Sequence, residues 1–149
     1  MNQTISEVRQ ISHNLRPTLL DDLGLDTALK ALIDQFMERT GVQVTYRFEV
    51  SSTLPDEIEM TVYRLTQESL TNIEKHAQAK HISLQVTQSY RHVVFECLDD
   101  GKGFSHKSEL TAGIGLINMR ERLELIGGDF MLESQLGKGT KIHALLPLE

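Results

Sequence analysis

Apolar residues recur every three or four positions in four stretches of the chain, and this spacing predicts four amphipathic helices. The first stretch is short and otherwise polar, so we expect it to be the end of a longer helix, followed by a connector from Arg16 to Gly24. The second stretch ends at Gly41, a residue suited to a C-terminal cap, and the third begins at Pro55. The predicted helices cover 2–15, 25–37, 55–73 and 116–126.

Apolar and polar residues alternate elsewhere, which predicts β-strands. Polar residues from Ser89 to His92 predict a hairpin, and the turn Gly137-Lys138-Gly139 separates the last two strands. Because some strands are joined by short turns and others by helices, the predicted fold is α/β, an α+β two-layer sandwich. Its mixed sheet is covered by helices on one face. The predicted strands cover 42–50, 82–86, 93–97, 130–132 and 142–146.

The composition restricts the class of protein. Hydrophobic residues make up 40% of the 149 residues, enough for a normal core, which argues against a disordered chain. The formal net charge of −6 argues against a non-specific nucleic-acid binder, which needs a basic face. The single cysteine excludes an internal disulfide, and no apolar run reaches the roughly 20 residues of a membrane helix. We expect a cytoplasmic domain; whether a parent protein is anchored in the inner membrane stays open.

A polar stripe follows the third predicted helix. Glu68, Asn72, Lys75 and His76 are spaced so that they share one helix face. A carboxylate and an amide one turn apart suit a hard cation such as Mg²⁺, and a Lys and a His suit phosphates. The alternative is an ordinary solvated helix face with surface ion pairs.

Three glycine motifs lie further along the chain. Each motif could also be an ordinary structural element without a ligand: the first a β-turn, the second a loop that ends at a helix, and the third a hairpin turn. In the first, a strand-end carboxylate could accept a hydrogen bond from an amine; in the second, helix N–H groups could bind an anion. The motifs are Asp99-Asp100-Gly101-Lys102-Gly103, Gly113-Ile114-Gly115-Leu116 and Gly137-Lys138-Gly139-Thr140.

Other common sites are not supported. Neither a GxxxxGK[ST] loop nor a GxGxxG fingerprint occurs in the sequence. The six histidines show no metal-ligand spacing, and Cys97 alternates with Phe95 as a core residue does.

The polar stripe and the three glycine motifs together make four constellations of residues. Their order along the chain resembles the N, G1, G2 and G3 boxes of the GHKL (Bergerat-fold) ATPase superfamily. That superfamily comprises gyrase-type topoisomerases, Hsp90 chaperones, histidine kinases and MutL proteins. The segments from Tyr63 to Asn72 and from Gly115 to Arg122 look like sensor histidine kinases of the NarX, NarQ and DesK type, which partner NarL/FixJ-type response regulators. Leu15-Arg16-Pro17 and Leu23-Gly24-Leu25 resemble the segment that joins the dimerisation helices to the ATPase domain in this branch.

The resemblance implies roles for the polar stripe. Asn72 would ligate Mg²⁺, and Glu68 would lie near it, through water or as a polarising base. These two would be the catalytic residues. Lys75 and His76 would face the phosphates of ATP.

It also implies roles for the glycine motifs. Asp99 would bind the adenine amino group, Gly101 and Gly103 would shape the pocket, and Thr140 would lie near the adenine. The stretch 104–112 would be a short ATP lid. The residues that would hold the phosphate tail are Gly113, Gly115 and Leu116.

His13 is a poor candidate for a phosphoacceptor. The segment from Ser12 to Pro17 superficially resembles the phosphoacceptor box of other histidine kinases, but Pro17 follows Arg16 directly and no acidic residue follows His13. In the branch that this chain resembles, the acceptor lies in an earlier dimerisation helix. We therefore expect 1–17 to be the end of that helix plus a connector, and 18–149 to be the ATP-binding catalytic domain.

The expected function is transfer of the γ-phosphate of Mg-ATP to a histidine on a dimerisation helix outside this chain, for relay to a response-regulator aspartate. The expected partners are ATP or ADP, the dimerisation helices of a homodimeric parent and, through the parent, the response regulator, without direct contact to nucleic acid. Two alternatives stay open: an anti-sigma-type protein-serine kinase, and a nucleotide-binding module without catalysis. The sequence does not identify the stimulus or the regulator.

Overall fold

The computed structural model describes residues 17–103 and 114–148. The expected dimerisation-helix segment, His13 and the expected ATP lid therefore lie outside the described residues. The helices are α1 (Thr18–Thr40), α2 (Asp56–Asn72), a π-helical segment (Ile73–Ala77) and α3 (Ile114–Leu125). The strands are β1 (Gln43–Glu49), β2 (His81–Ser89), β3 (His92–Asp99), β4 (Asp129–Gln135) and β5 (Gly139–Pro147).

The predicted connector from Arg16 to Gly24 is wrong over most of its described length, because α1 begins at Thr18. Leu20 is buried in the core, so this first turn and a half is held by packing. Gly24 interrupts the helix with φ 86° and ψ 170°, a conformation that favours glycine. Gly41 caps the other end as predicted, with its N–H donating to the Met37 carbonyl at 2.8 Å.

The second long helix begins where the sequence predicts. Pro55 precedes its first residue, and three acidic side chains in the first turn favour the positive end of the helix dipole. Beyond Asn72 the α-helix widens into the π-helical segment, a feature that the apolar spacing did not predict.

The five strands form one mixed sheet in the order β1-β2-β3-β5-β4. β1 and β2 are parallel, and the other three pairs are antiparallel. The predicted mixed sheet is thereby confirmed, including the hairpin between β2 and β3.

The core lies between one face of this sheet and the helices. In β3, Val93, Phe95 and Cys97 are almost fully buried, whereas the alternate residues Glu96 and Leu98 are partly exposed. Cys97 is thus a core residue as predicted, and burial raises the pKa of its thiol. Among residues 17–103 and 114–148, no helix combines the length and the apolar composition needed to cross a membrane.

Candidate functional site

One end of the sheet brings together the Asp99 motif and the Gly137–Thr140 motif. β2 begins at His81, β3 ends at Asp99 and β5 begins at Gly139. In the ladder Asp99 lies opposite Ile82 on one side and Thr140 on the other. Since only three residues separate the π-helical segment from β2, the end of α2 that carries Asn72 leads to this same end of the sheet.

Asp99 is a half-buried carboxylate on the helix-covered face of the sheet, which it shares with Cys97 by strand alternation. Its Oδ1 accepts a hydrogen bond from the Gly101 N–H at 2.9 Å, and its carboxylate also accepts one from the Thr140 backbone N–H. Burial raises the pKa of Asp99, and the charge of Asp100 adds to this rise, while the two N–H donors oppose it. The group is an acceptor held in place by two backbone N–H groups, as the adenine assignment requires.

The loop after Asp99 packs against the β4–β5 turn. The Gly137 N–H donates to the Lys102 carbonyl at 2.6 Å. Gly103 has φ 64°, and a Cβ at this position would overlap the carbonyl oxygen of Gln135. Gly139 has φ 84°, and a Cβ there would overlap the carbonyl oxygen of Asp99. Because Gly103 and Gly139 have no side chains, the backbone of the loop after Asp99 packs directly against the backbone of the β4–β5 turn.

Asp100 holds the loop to the start of β2, a role that the sequence analysis missed. Its Oδ1 accepts hydrogen bonds from the backbone N–H groups of Lys80 at 2.9 Å and His81 at 3.0 Å. These donors lower the pKa of Asp100 below its ordinary value. Asp100, which together with Gly101 predicts a turn, thus also connects the end of β3 to the start of β2. The signal that could have indicated it is a second carboxylate at a strand end.

Ser134 is a second residue that the motifs did not include. Its hydroxyl lies 2.8 Å from the hydroxyl of Thr140 and 3.2 Å from the Gly139 carbonyl. Ser134 and Thr140 are direct partners in the β4–β5 ladder, and Thr140 is the partner of Asp99 in the β3–β5 ladder. The three polar side chains therefore form a row across the end of the sheet.

On the helical side, the predicted pair Glu68 and Asn72 lies near the start of α3. Both residues are half-buried, and the Asn72 Nδ2 is buried without a hydrogen-bond partner among the residues that the structure describes. A Cβ at Gly115 would overlap the Glu68 carboxylate, so the polar stripe and the Gly113–Leu116 motif are in contact. An orphaned amide group at this point fits a site that a ligand completes.

The remaining predicted residues are less constrained. Lys75 is exposed on the π-helical segment, whose wider turn departs from the α-helical spacing that predicted a shared face with Asn72. Next to it, Glu74 forms a bidentate ion pair with Arg39 of α1, with a shortest distance of 2.7 Å. The side chains of His76 and Leu116, and all of Gly113, lie outside what the structure describes.

A metal ion bound by protein side chains alone is not indicated within 17–103 and 114–148, where no group of three or more His, Cys, Asp or Glu side chains converges. Glu68 and Asn72 supply two oxygen groups one helical turn apart. That donor set is too small for a metal cage but suits Mg²⁺, which usually keeps several waters and shares substrate phosphates.

The fold is that of histidine kinase domains. The histidine kinase domain of a blue-light activated histidine kinase from Erythrobacter litoralis EL346 superposes with a TM-score of 0.68 at 20% identity, over 83% of this chain and 61% of that one. A second structure of that blue-light activated kinase superposes with a TM-score of 0.64 at 20% identity, over 80% of this chain and 42% of that one. These likenesses confirm the predicted mixed sheet and layer arrangement.

Sequence relatives identify the family. The chain is 37% identical over 150 residues to the oxygen sensor histidine kinase NreB of Staphylococcus carnosus (strain TM300), an alignment that covers 99% of this chain and 43% of the relative. The model of the family "Histidine kinase-, DNA gyrase B-, and HSP90-like ATPase" matches residues 57–149, which include all four constellations. The chain therefore belongs to the histidine kinase-, DNA gyrase B- and HSP90-like ATPase family.

Proposed function

We propose that this chain binds Mg-ATP at the end of the sheet marked by Asp99 and Thr140 and presents the γ-phosphate to a histidine on a dimerisation helix outside the chain. The observation that carries this proposal is the Asp99 carboxylate. It is half-buried, held by two backbone N–H groups, and adjacent in the ladder to Thr140.

The base-binding role rests on hydrogen-bonding chemistry. A carboxylate has acceptor capacity beyond the two N–H donors that fix Asp99, so it can accept an N–H from an exocyclic amine. In a half-buried position this hydrogen bond competes less with water than it would on the surface. An adenine amino group supplies the donor.

The phosphate-binding role falls to the helical side. The start of α3 places backbone N–H groups and the positive end of the helix dipole near Glu68, through the contact at Gly115. Asn72 and Glu68 would hold Mg²⁺, which neutralises phosphate charge when bound. Lys75 and His76 would add positive charge or donors from the π-helical segment that follows α2.

The phosphoryl transfer would then depend on positioning and charge stabilisation. The chain spans 43% of the length of its curated relative NreB, which leaves room for sensing and dimerisation segments in a parent protein. We propose a homodimeric parent that passes the phosphate on to an aspartate of a NarL/FixJ-type response regulator. That relative is named an oxygen sensor.

The first test is calorimetric titration with ATP and Mg²⁺. Asp99→Asn and Asn72→Asp should each weaken ATP binding about ten- to a hundredfold, the cost of leaving a buried polar group without its partner. Asp129→Asn is the matched control, because Asp129 is exposed at the opposite end of β4. Unchanged ATP affinity in Asp99→Asn, with the fold intact by circular dichroism, would contradict the adenine assignment.

The second test separates the open alternatives. The chain is incubated with γ-labelled ATP and a fragment of the parent that carries the upstream helix. Acid-labile label on that fragment supports a histidine kinase, since phosphohistidine is acid-labile. Acid-stable label on a serine substrate would favour the serine-kinase alternative, and binding without transfer would favour the non-catalytic module.

A further inference from the structure

The π-helical segment after α2 is connected to the end of α1 by the ion pair between Arg39 and Glu74. The Arg39 Nη2 donates to one oxygen of the Glu74 carboxylate at 2.7 Å, and its Nε donates to the other oxygen at 3.1 Å. The two residues are 35 positions apart in the chain, so this is a tertiary contact. Two N–H···O bonds made by one guanidinium fix the relative orientation of two side chains better than a single bond does.

The stretch that carries Lys75 is held on both sides of that residue. On one side, the preceding residue Glu74 is bonded to Arg39 of α1. On the other side, the Asp100 carboxylate accepts hydrogen bonds from two backbone N–H groups around the start of β2. Lys75 itself is exposed, and the wider π-helical turn does not place it by α-helical spacing. The direction in which Lys75 points therefore depends on the contacts that hold the segment.

The Arg39–Glu74 ion pair is suited to fixing orientation rather than to holding the fold together. The side chains of Arg39 and Glu74 are 57% and 36% exposed, and an ion pair in such a position contributes little to global stability. The hydrogen bonds from Arg39 lower the pKa of Glu74, so this carboxyl stays charged and the pair stays intact at neutral pH. A variant that breaks the pair should therefore still fold.

We infer that Arg39 is a positioning residue for phosphate binding. Acting through Glu74, it fixes the π-helical segment and thereby the direction from which Lys75 meets the phosphates of the nucleotide. Binding of the base should not depend on Arg39, because strand pairing places Asp99 and Thr140. This inference rests on the proposed binding of Mg-ATP, and it gives α1 a part in a site that none of the four motifs assigns to it.

The experiment compares the affinities for ATP and for adenosine, which has the base but no phosphates. Arg39→Gln and Glu74→Gln should each weaken ATP binding about two- to fivefold, the size expected for one exposed ion pair. Each should leave the adenosine affinity within about 1.5-fold and the Tm within about 3 °C. Arg47→Gln is the matched control and should change neither affinity. Arg47 is also 57% exposed, and it forms a 2.6 Å ion pair with Glu49 of β1.

A double-mutant cycle shows whether Arg39 acts through Glu74. In the Arg39→Gln background, adding Glu74→Gln should change the ATP affinity by less than about 1.5-fold, because the pair is already broken. The reversed pair, Arg39→Glu with Glu74→Arg, should restore most of the ATP affinity. Tighter ATP binding in Glu74→Gln would overturn the inference, since it would show that Glu74 acts by repelling phosphates. Equal losses of ATP and adenosine affinity would overturn it too, since they would indicate a general disturbance of the fold.

The two proposals fail in different ways. If the unmodified chain binds neither ATP nor adenosine, the proposed function is wrong. If it binds ATP, and Arg39→Gln binds ATP as tightly as the unmodified chain does, only the role of Arg39 is wrong.

Discussion

Replacing Gly103 by alanine tests whether the Asp99 loop is held by backbone packing. Gly103 has φ 64°, and a side chain in this left-handed region costs about 1–2 kcal/mol. The added Cβ would also overlap the Gln135 carbonyl oxygen, a backbone atom that cannot rotate away. Overpacking of this kind costs about 1–3 kcal/mol, so we expect a total destabilisation of about 2–5 kcal/mol.

Gly137→Ala is the matched control for that substitution. Gly137 also has a positive φ, 80°, but within the described chain a Cβ there meets no heavy atom inside 4 Å. It should cost only the conformational term of about 1–2 kcal/mol. The comparison therefore isolates the contact between the loop and the β4–β5 turn.

The assay is thermal unfolding followed by circular dichroism, together with ATP titration. At about 2–4 °C per kcal/mol for a domain of this size, Gly103→Ala should lower the Tm by about 4–20 °C and Gly137→Ala by about 2–8 °C. Gly103→Ala should also weaken ATP binding, since the loop directly follows Asp99 at the end of β3. Equal Tm values for the two variants, within about 2 °C, would refute the packing argument.

Three further predictions follow from the site. Gly115→Ala should change the Tm little but reduce phosphoryl transfer at least about tenfold, because its Cβ would displace the end of the flexible Glu68 side chain rather than backbone; a large drop in Tm would contradict this. ATP affinity should fall as the pH drops through the pKa of Asp99, because a protonated carboxyl loses acceptor capacity. Burial raises this pKa above the ordinary 3.8, so the fall should occur at a higher pH than for a free aspartate. In Asp99→Asn, the ATP affinity titrated across the same pH range should not show this fall. The chain alone should bind ATP but take up no acid-labile label from γ-labelled ATP; label that disappears in His13→Gln would make His13 the acceptor.

The sequence predicted the elements better than their connections. Helices and strands follow from apolar spacing because that spacing is local, and the prediction failed where tertiary packing decided the outcome. Leu20 extends α1 into the expected connector because the core buries it, and the α-helix widens after Asn72 without any apolar signal.

In the candidate site too, local contacts could be predicted from the sequence, whereas contacts that depend on tertiary packing could not. Asp99 and Gly101 are neighbours along the chain, so a strand-end carboxylate beside a glycine could be expected to meet the Gly101 N–H. Ser134 could not be assigned, because its contact with Thr140 depends on the register of β4 against β5, and register is set by the whole buried face. The family resemblance supplied the predicted roles of Asn72 and Thr140, which spacing alone leaves open.

The two halves of the site are built by different physics. The proposed base-binding half is part of an antiparallel ladder, where backbone pairing places Asp99, Thr140 and Ser134. The proposed phosphate-binding half lies on helices, where Glu68 contacts Gly115 through a flexible side chain. Asp100 connects the Asp99 loop to Lys80 and His81, which follow the helix that carries Asn72. A nucleotide bound across both halves would therefore find the base position fixed in advance. The proposed phosphate-binding groups keep more freedom, because the Glu68 side chain that contacts Gly115 is flexible.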